Sequence, residues 1–242
     1  MQKAILAKKL IGNLDLTSLN LSDTEENIIS LCKKAQTPFG NTCAVCVYPQ
    51  FITLAKNSLK NTDIAVATVI NFPQGNSDIT SIKEQLLKAI NCGADEIDAV
   101  FPYQDFLHGN IDICKKFLET LTQNKHERKI KIILESGAFT NQELLAQACL
   151  LCLKYNIDFL KTSTGKTTTS ATPEAVKTIV DTIKSTSKNI GIKVSGGIKT
   201  FTQAEQYYNI LQTSMEESWI TPQHFRIGAS SLLDNLIQEA KG

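Results

Sequence analysis

Short apolar segments alternate with amphipathic helical patterns along the whole sequence. The apolar segments are rich in β-branched residues, which is typical of buried strands. A pattern with apolar residues at helical spacing follows each of them. The eight predicted strands span residues 14–17, 42–48, 64–70, 96–101, 129–134, 157–161, 190–194 and 224–227.

This alternation predicts an α/β fold with a parallel sheet, and eight units favour a closed (β/α)8 TIM barrel. We expect a single barrel domain over residues 1–242, with a short extra N-terminal helix before the first strand. The length agrees with the roughly 250 residues typical of such barrels. A doubly wound open sheet is the alternative, but it normally has a glycine-rich turn after its first strand, and residues 15–19 contain no glycine.

Composition narrows the class of protein. The net charge of +1 gives no reason to expect a nucleic acid or a membrane surface as a partner. No segment approaches the ~20 apolar residues of a membrane span, and no signal peptide is apparent. The seven cysteines are expected to be reduced thiols in a cytoplasmic protein.

Local patterns predict where several helices begin. Residues 22–25 (Ser-Asp-Thr-Glu) and 140–143 (Thr-Asn-Gln-Glu) are typical of capping boxes. Thr172 followed by Pro173 predicts an N-cap and a first helical residue. The doublet Asp95-Glu96 before the fourth strand is expected to form a solvated turn.

Lys161 lies at the end of the sixth predicted strand, where burial of an ammonium group is costly. A lowered pKa relieves that cost and leaves a neutral, nucleophilic amine. The alternative is a lysine whose stem is buried and whose ammonium reaches water. Residues 162–166 (Thr-Ser-Thr-Gly-Lys) add hydroxyls, backbone N–H groups and a cation, which suit a phosphate.

Functional groups of such barrels lie where strands run into the loops that follow them. On this basis six polar side chains are expected to converge: Asp15, Cys46, Asp98, Glu135, Lys161 and Lys193. Lys161 and Lys193 are on neighbouring strands, and two ammonium groups ~5 Å apart repel by roughly 3 kcal/mol. One of them should be partly neutral near pH 7, which supports imine formation. Asp98 is a candidate proton carrier or a structural ion-pair partner, and Asp15 could orient a substrate hydroxyl or serve as a cap or turn residue.

Two glycine- and serine-rich loops indicate a phosphate site. Residues 195–198 (Ser-Gly-Gly-Ile) follow the seventh strand, and residues 228–231 (Gly-Ala-Ser-Ser) follow the eighth. Barrels commonly bind phosphate with these two loops and a helix N-terminus, although each loop alone could be a tight turn. By contrast, Cys43/Cys46 and Cys149/Cys152 are expected to be structural thiols, and the three histidines show no metal-ligand spacing.

These motifs resemble deoxyribose-phosphate aldolase. The likeness covers nearly the whole chain in order, including residues 71–75 (Asn-Phe-Pro-Gln-Gly), 93–98, 159–166, 193–197 and 226–231. It implies a metal-independent class I aldolase that interconverts 2-deoxy-D-ribose 5-phosphate with D-glyceraldehyde 3-phosphate and acetaldehyde in deoxynucleoside catabolism. No cofactor is expected.

The resemblance also implies roles for individual residues. Lys161 would form the Schiff base, Asp98 and Lys193 would be proton donor/acceptors, and Asp15 would assist. The substrate- and phosphate-binding set would be Thr17, Gly165, Lys166, Gly196, Gly197, Gly228, Ser230 and Ser231, with Cys46 near the pocket. Some family members end in a tyrosine that reaches the site, whereas this sequence ends at Gly242, so we expect no tail-assisted proton transfer.

Two other functions remain open on the sequence. Another imine-forming sugar-phosphate aldolase, or a transaldolase-like enzyme, would use the same lysines. A non-catalytic sugar-phosphate sensor would keep the phosphate loops without the chemistry. The expected partner is a small phosphosugar, and a homodimer is plausible in a barrel of this size.

Overall fold

The computed structural model describes residues 1–242 and contains a closed barrel of eight parallel strands. The order of the strands around the barrel follows the sequence, and β1 pairs with both β2 and β8 to close it. The predicted barrel is therefore confirmed. The strands are β1 (Leu14–Thr17), β2 (Ala44–Val47), β3 (Ala65–Ile70), β4 (Glu96–Val100), β5 (Lys129–Ile133), β6 (Phe159–Lys161), β7 (Gly191–Ser195) and β8 (Phe225–Ala229).

Ten α-helices surround the barrel. They are α1 (Gln2–Gly12), α2 (Glu25–Lys34), α3 (Ile52–Ser58), α4 (Ile79–Asn91), α5 (Tyr103–Leu107), α6 (Ile111–Asn124), α7 (Gln142–Cys152), α8 (Pro173–Thr186), α9 (Phe201–Ser214) and α10 (Leu232–Ala240). The predicted N-terminal helix is α1. The short helix α5 and a two-stranded hairpin (Gln36–Thr37 with Gly40–Asn41) were not predicted.

The outer helices bury one face against the strands. In α6 the buried residues are Cys114, Phe117, Leu118 and Leu121, at the i, i+3, i+4, i+7 spacing of one helical face. Every residue of β2, β4, β7 and β8 is buried, because helices cover the outside of the sheet and side chains fill the inside. No helix is both long and apolar enough to cross a membrane.

The helix starts agree with the sequence patterns only in part. Thr172 caps α8 and accepts a hydrogen bond from the amide of Ala175 at 3.2 Å, as predicted. The first capping box lies two residues later than predicted, because Thr24 is the N-cap of α2 and Asn27 is its reciprocal partner. Asn141, not Thr140, caps α7. A side chain one or two residues away from the expected position can therefore satisfy the same free amides.

Candidate active site

Lys161, the last residue of β6, and Lys193, in the middle of β7, lie side by side as register partners. Both Nζ atoms donate to the same oxygen of Asp98 on β4, Lys161 at 2.7 Å and Lys193 at 2.8 Å. All three side chains are buried. The structure thus brings together the three residues that the sequence pointed to most strongly.

Asp98 is surrounded by cations. Its second oxygen accepts a hydrogen bond from Lys131 Nζ at 2.9 Å. Burial alone would raise the pKa of Asp98, but the ammonium groups of Lys131, Lys161 and Lys193 hold it well below its ordinary range. Asp98 is therefore a carboxylate at neutral pH, able to accept a proton rather than to supply one.

The two neighbouring lysines differ in protonation. Burial, the largest single cause, lowers the pKa of Lys161, Asp98 raises it and Lys193 lowers it, and the net shift is downward. Burial also lowers the pKa of Lys193, but Asp15 and Asp98 together outweigh burial and raise it. Lys161 is thus the amine that loses its proton more easily. The sequence-based explanation gave the neighbouring cation too much weight, because burial is the larger cause.

A second layer of charges lies beneath this cluster and was missed. Arg226 on β8 pairs with Asp15 at 2.7 Å and with Glu96 at 3.1 Å. Lys131 on β5 contacts Glu96 as well as Asp98. The prediction that Glu96 belongs to a solvated turn was wrong: it is almost fully buried at the start of β4, two residues before Asp98 and on the same face of the strand. The alternating acidic residues of β4 and the lysines of β5 were the signal for this layer.

Asp15 is also part of the buried layer. Its carboxylate lies 2.6 Å from Lys193 Nζ, and its side chain has no exposed surface. Burial would raise the pKa of Asp15, but Lys193, Arg226 and Lys131 lower it overall. Asp15 is therefore not a turn or cap residue, and it holds Lys193 inside the barrel.

An open cavity of about 170 Å³ lies above the lysines. Lys161 lines it, together with all eight residues predicted to bind substrate or phosphate: Thr17, Gly165, Lys166, Gly196, Gly197, Gly228, Ser230 and Ser231. Asn20 and Lys199 also line it and were not predicted. Three cavity glycines, Gly165, Gly196 and Gly197, have positive φ angles that favour glycine.

Two loops of the cavity pack closely against one another. A Cβ atom on Gly196 would lie 2.5 Å from Ser170, and one on Gly165 would lie 3.7 Å from the Cα of Gly196. The ammonium group of Lys166 donates to the carbonyl oxygen of Leu19 at 2.6 Å, which joins this loop to the one that follows β1. The cavity is therefore lined by backbone, hydroxyl groups and the cations Lys166 and Lys199, which suits an anion.

Glu135 and Cys46 do not line the cavity. Glu135 is buried behind the loop after β6, where its carboxylate accepts hydrogen bonds from the amide and hydroxyl of Thr164 and from the hydroxyl of Thr167. Cys46 is fully buried inside the barrel, and it packs with the cavity residue Leu19. Burial raises the pKa of the Cys46 thiol. All seven cysteines are free thiols, and no group of three or more His, Cys, Asp or Glu side chains is arranged to hold a metal ion.

Comparisons with known proteins give one family match and several similar solved structures. The model of the DeoC/LacD family of aldolases matches residues 9–236. A solved structure of a deoxyribose phosphate aldolase from Aeropyrum pernix is 21% identical and has a TM-score of 0.74, with 100% of this chain and 96% of that chain covered. A proposed deoxyribose-phosphate aldolase from Toxoplasma gondii ME49 is 22% identical with a TM-score of 0.91, and 99% and 97% of the two chains are covered. The aldolase QR15 is 25% identical with a TM-score of 0.80, and 95% and 96% are covered.

Proposed function

Because the chain belongs to the DeoC/LacD family of aldolases, we propose that it is a class I aldolase that reversibly cleaves 2-deoxy-D-ribose 5-phosphate into D-glyceraldehyde 3-phosphate and acetaldehyde. The observation that carries the proposal is the position of Lys161. Its amine has a lowered pKa, and it lies at the wall of a cavity whose other side chains and loops suit a phosphate.

The reaction begins with attack of the neutral Lys161 amine on the C1 aldehyde of the open-chain sugar. The carbinolamine loses water to give a protonated imine, which withdraws electrons from the C2–C3 bond. Lys193, whose raised pKa keeps it protonated, can donate a proton to the departing hydroxyl. The neutral Lys193 amine regains a proton in the cleavage step, when the C3 hydroxyl releases one.

Carbon–carbon cleavage needs a base for the C3 hydroxyl. The C2–C3 electron pair moves into an enamine while the C3 oxygen loses its proton and becomes the aldehyde of glyceraldehyde 3-phosphate. Asp98, ionised at neutral pH, is suited to accept that proton, directly or through Lys193. Protonation of the enamine at C2 and hydrolysis of the imine then release acetaldehyde and restore the Lys161 amine.

We expect the phosphate end of the substrate to bind at the glycine loops. The phosphate would accept hydrogen bonds from the backbone around Gly196 and Gly197 and from the hydroxyls of Ser230 and Ser231. Lys166 would supply a positive charge after releasing the carbonyl oxygen of Leu19. Asp15 would assist by holding Lys193, which it contacts at 2.6 Å.

Covalent trapping tests the assignment. Incubation with acetaldehyde and borohydride should add an ethyl group at Lys161, as read by peptide mass, and release of glyceraldehyde 3-phosphate should be measurable from 2-deoxyribose 5-phosphate in a coupled assay. Lys161→Arg keeps the charge but should lose both signals. Equal labelling in the wild type and in this variant would refute the assignment of Lys161.

A substrate panel separates the proposal from its alternatives. Turnover of ketose phosphates without turnover of 2-deoxyribose 5-phosphate would indicate a transaldolase-like enzyme. Binding of the phosphosugar without consumption and without trapping would indicate a sensor.

A further inference from the structure

The barrel interior contains seven ionisable side chains that contact one another. Four can carry a positive charge, and three are carboxylates, so one cation is left without a matching anion. The cations are Lys131, Lys161, Lys193 and Arg226, and the carboxylates are Asp15, Glu96 and Asp98. Since an unmatched buried charge is costly, the group that is least compensated is the one expected to lose its proton.

The cations are compensated to different degrees. Lys131 contacts all three carboxylates, with Asp98 at 2.9 Å and Asp15 at 3.5 Å. Lys193 and Arg226 each contact two of the carboxylates. Lys161 contacts only one oxygen of Asp98 and shares it with Lys193. Outside this set, the half-exposed Lys129 approaches Glu96 at 3.6 Å.

We infer that Lys131 is a positioning residue of the active site that acts through Asp98. Lys131 donates a hydrogen bond to one oxygen of Asp98 and also pairs with Glu96. Lys161 and Lys193 therefore share the other oxygen of Asp98. This arrangement makes Lys161 the cation that the carboxylates compensate least. The inference rests on the proposed function, since it explains how the nucleophilic amine of that reaction is kept available.

The groups that face Lys161 come from three other strands. They are Asp98 on β4, which favours the charged amine, Lys193 on β7, which disfavours it, and the buried thiol of Cys46 on β2. Lys131 lies on the neighbouring strand β5, two residues before Ile133, the register partner of Lys161. Its effect on Lys161 is therefore exerted mainly through the contact with Asp98.

Charge-changing variants test the inference. In Lys131→Met, three carboxylates remain for Lys161, Lys193 and Arg226, so Lys161 should hold its proton more tightly. The neutral fraction of Lys161 can be followed as its rate of labelling by trace acetic anhydride against pH, with peptide mass readout. We expect the labelling midpoint to move upward by about one pH unit or more, which lowers the rate at a fixed pH below the midpoint about tenfold.

Two further variants test the direction of the shift in the labelling midpoint of Lys161. Lys131→Met combined with Glu96→Gln removes one charge of each sign, and the midpoint should return toward that of the wild type. Glu96→Gln alone leaves four cations with two carboxylates, and the midpoint should fall. An unchanged midpoint in Lys131→Met, or an upward shift in Glu96→Gln, would overturn the inference. If Lys131→Met does not fold, the downward shift in Glu96→Gln still tests it.

A matched control is available outside the cluster. Lys125 is a buried lysine whose Nζ pairs with Asp158 at 2.7 Å. Lys125→Met should lower stability but leave the labelling midpoint of Lys161 unchanged, whereas an equal shift in this control would refute a specific role for Lys131. Because the labelling involves no sugar, a missing shift counts against Lys131 alone. Failure to cleave 2-deoxyribose 5-phosphate with the shift intact counts against the proposed substrate.

Discussion

Gly228 on β8 is predicted to be indispensable because of the space it leaves inside the barrel. A Cβ atom at this position would lie 2.4 Å from Ser195 Oγ and 2.9 Å from Lys193 Cε. Gly228 and Ser195 are register partners on paired strands, so neither backbone can move away without breaking the ladder. The added methyl group must therefore displace the side chains of Ser195 and Lys193.

The losses of stability and of kcat expected for Gly228→Ala follow from this geometry. Overpacking a filled interior costs about 1–3 kcal/mol. For a chain of this size that corresponds to a fall in Tm of roughly 2–12 °C. Displacement of the Lys193 ammonium from Asp15 and Asp98 removes the proposed proton donor, and general acid–base groups contribute about 10²–10⁴-fold to rate. We expect kcat to fall by about 10²-fold or more.

Steady-state kinetics and thermal unfolding test this prediction together. A residue that only binds phosphate would raise KM when changed, whereas a residue that makes room for Lys193 should lower kcat. Gly12→Ala is the matched control, since a Cβ atom there has no neighbour within 4 Å. Gly12 ends α1, so alanine should leave kcat unchanged and should not lower Tm. If Gly228→Ala is as stable and as active as Gly12→Ala, the conclusion that Gly228 leaves room for the Lys193 side chain is wrong.

Two further predictions concern the phosphate loop and the buried carboxylates. Glu135→Gln weakens the acceptor of three hydrogen bonds from Thr164 and Thr167. The KM for 2-deoxyribose 5-phosphate should therefore rise several-fold, while turnover of unphosphorylated 2-deoxyribose stays the same. An equal change for both sugars would contradict a role of Glu135 in positioning the loop. Burial raises the pKa of Asp98 and Glu96, but neighbouring cations lower both overall. Their stabilising contribution is thus complete above their ordinary pKa values near 4 and lost as pH falls toward the folded-state values, and the urea unfolding free energy should decrease as pH falls from about 5 to about 3.

The barrel and its lysine pair could be predicted because the necessary signals are local. Each strand is a short apolar run, and Lys161 and Lys193 end or nearly end two consecutive runs. Strand order in a parallel barrel follows chain order, so neighbouring strands in sequence place their terminal residues side by side. The glycine–serine segments were predicted for the same reason, since they begin in the last residues of β7 and β8.

The acidic residues of β4 and the lysines of β5 signal the lower charge layer locally, but the pairing between its charges has no local signal. Arg226 and Asp15 are 211 residues apart in sequence and meet only because β8 closes the barrel against β1. Arg226 was noted only as the first residue of the motif 226–231, and Glu96 was assigned with Asp95 to a solvated turn. Pairing between distant charges, rather than the pattern of any one strand, makes their burial possible.

The strand register also explains why the unmatched charge lies beside the cavity. Lys161 is the register partner of Lys193, and Lys193 is the register partner of Arg226, so three cations occupy successive strands. The two that contact more than one carboxylate are held within the barrel, whereas Lys161 reaches the cavity wall. In the proposed reaction the free Lys161 amine is neutral. The protonated imine restores a positive charge at that position. A phosphate dianion bound at the glycine loops would balance that charge, so a phosphorylated sugar would stabilise the imine in a way that acetaldehyde alone would not.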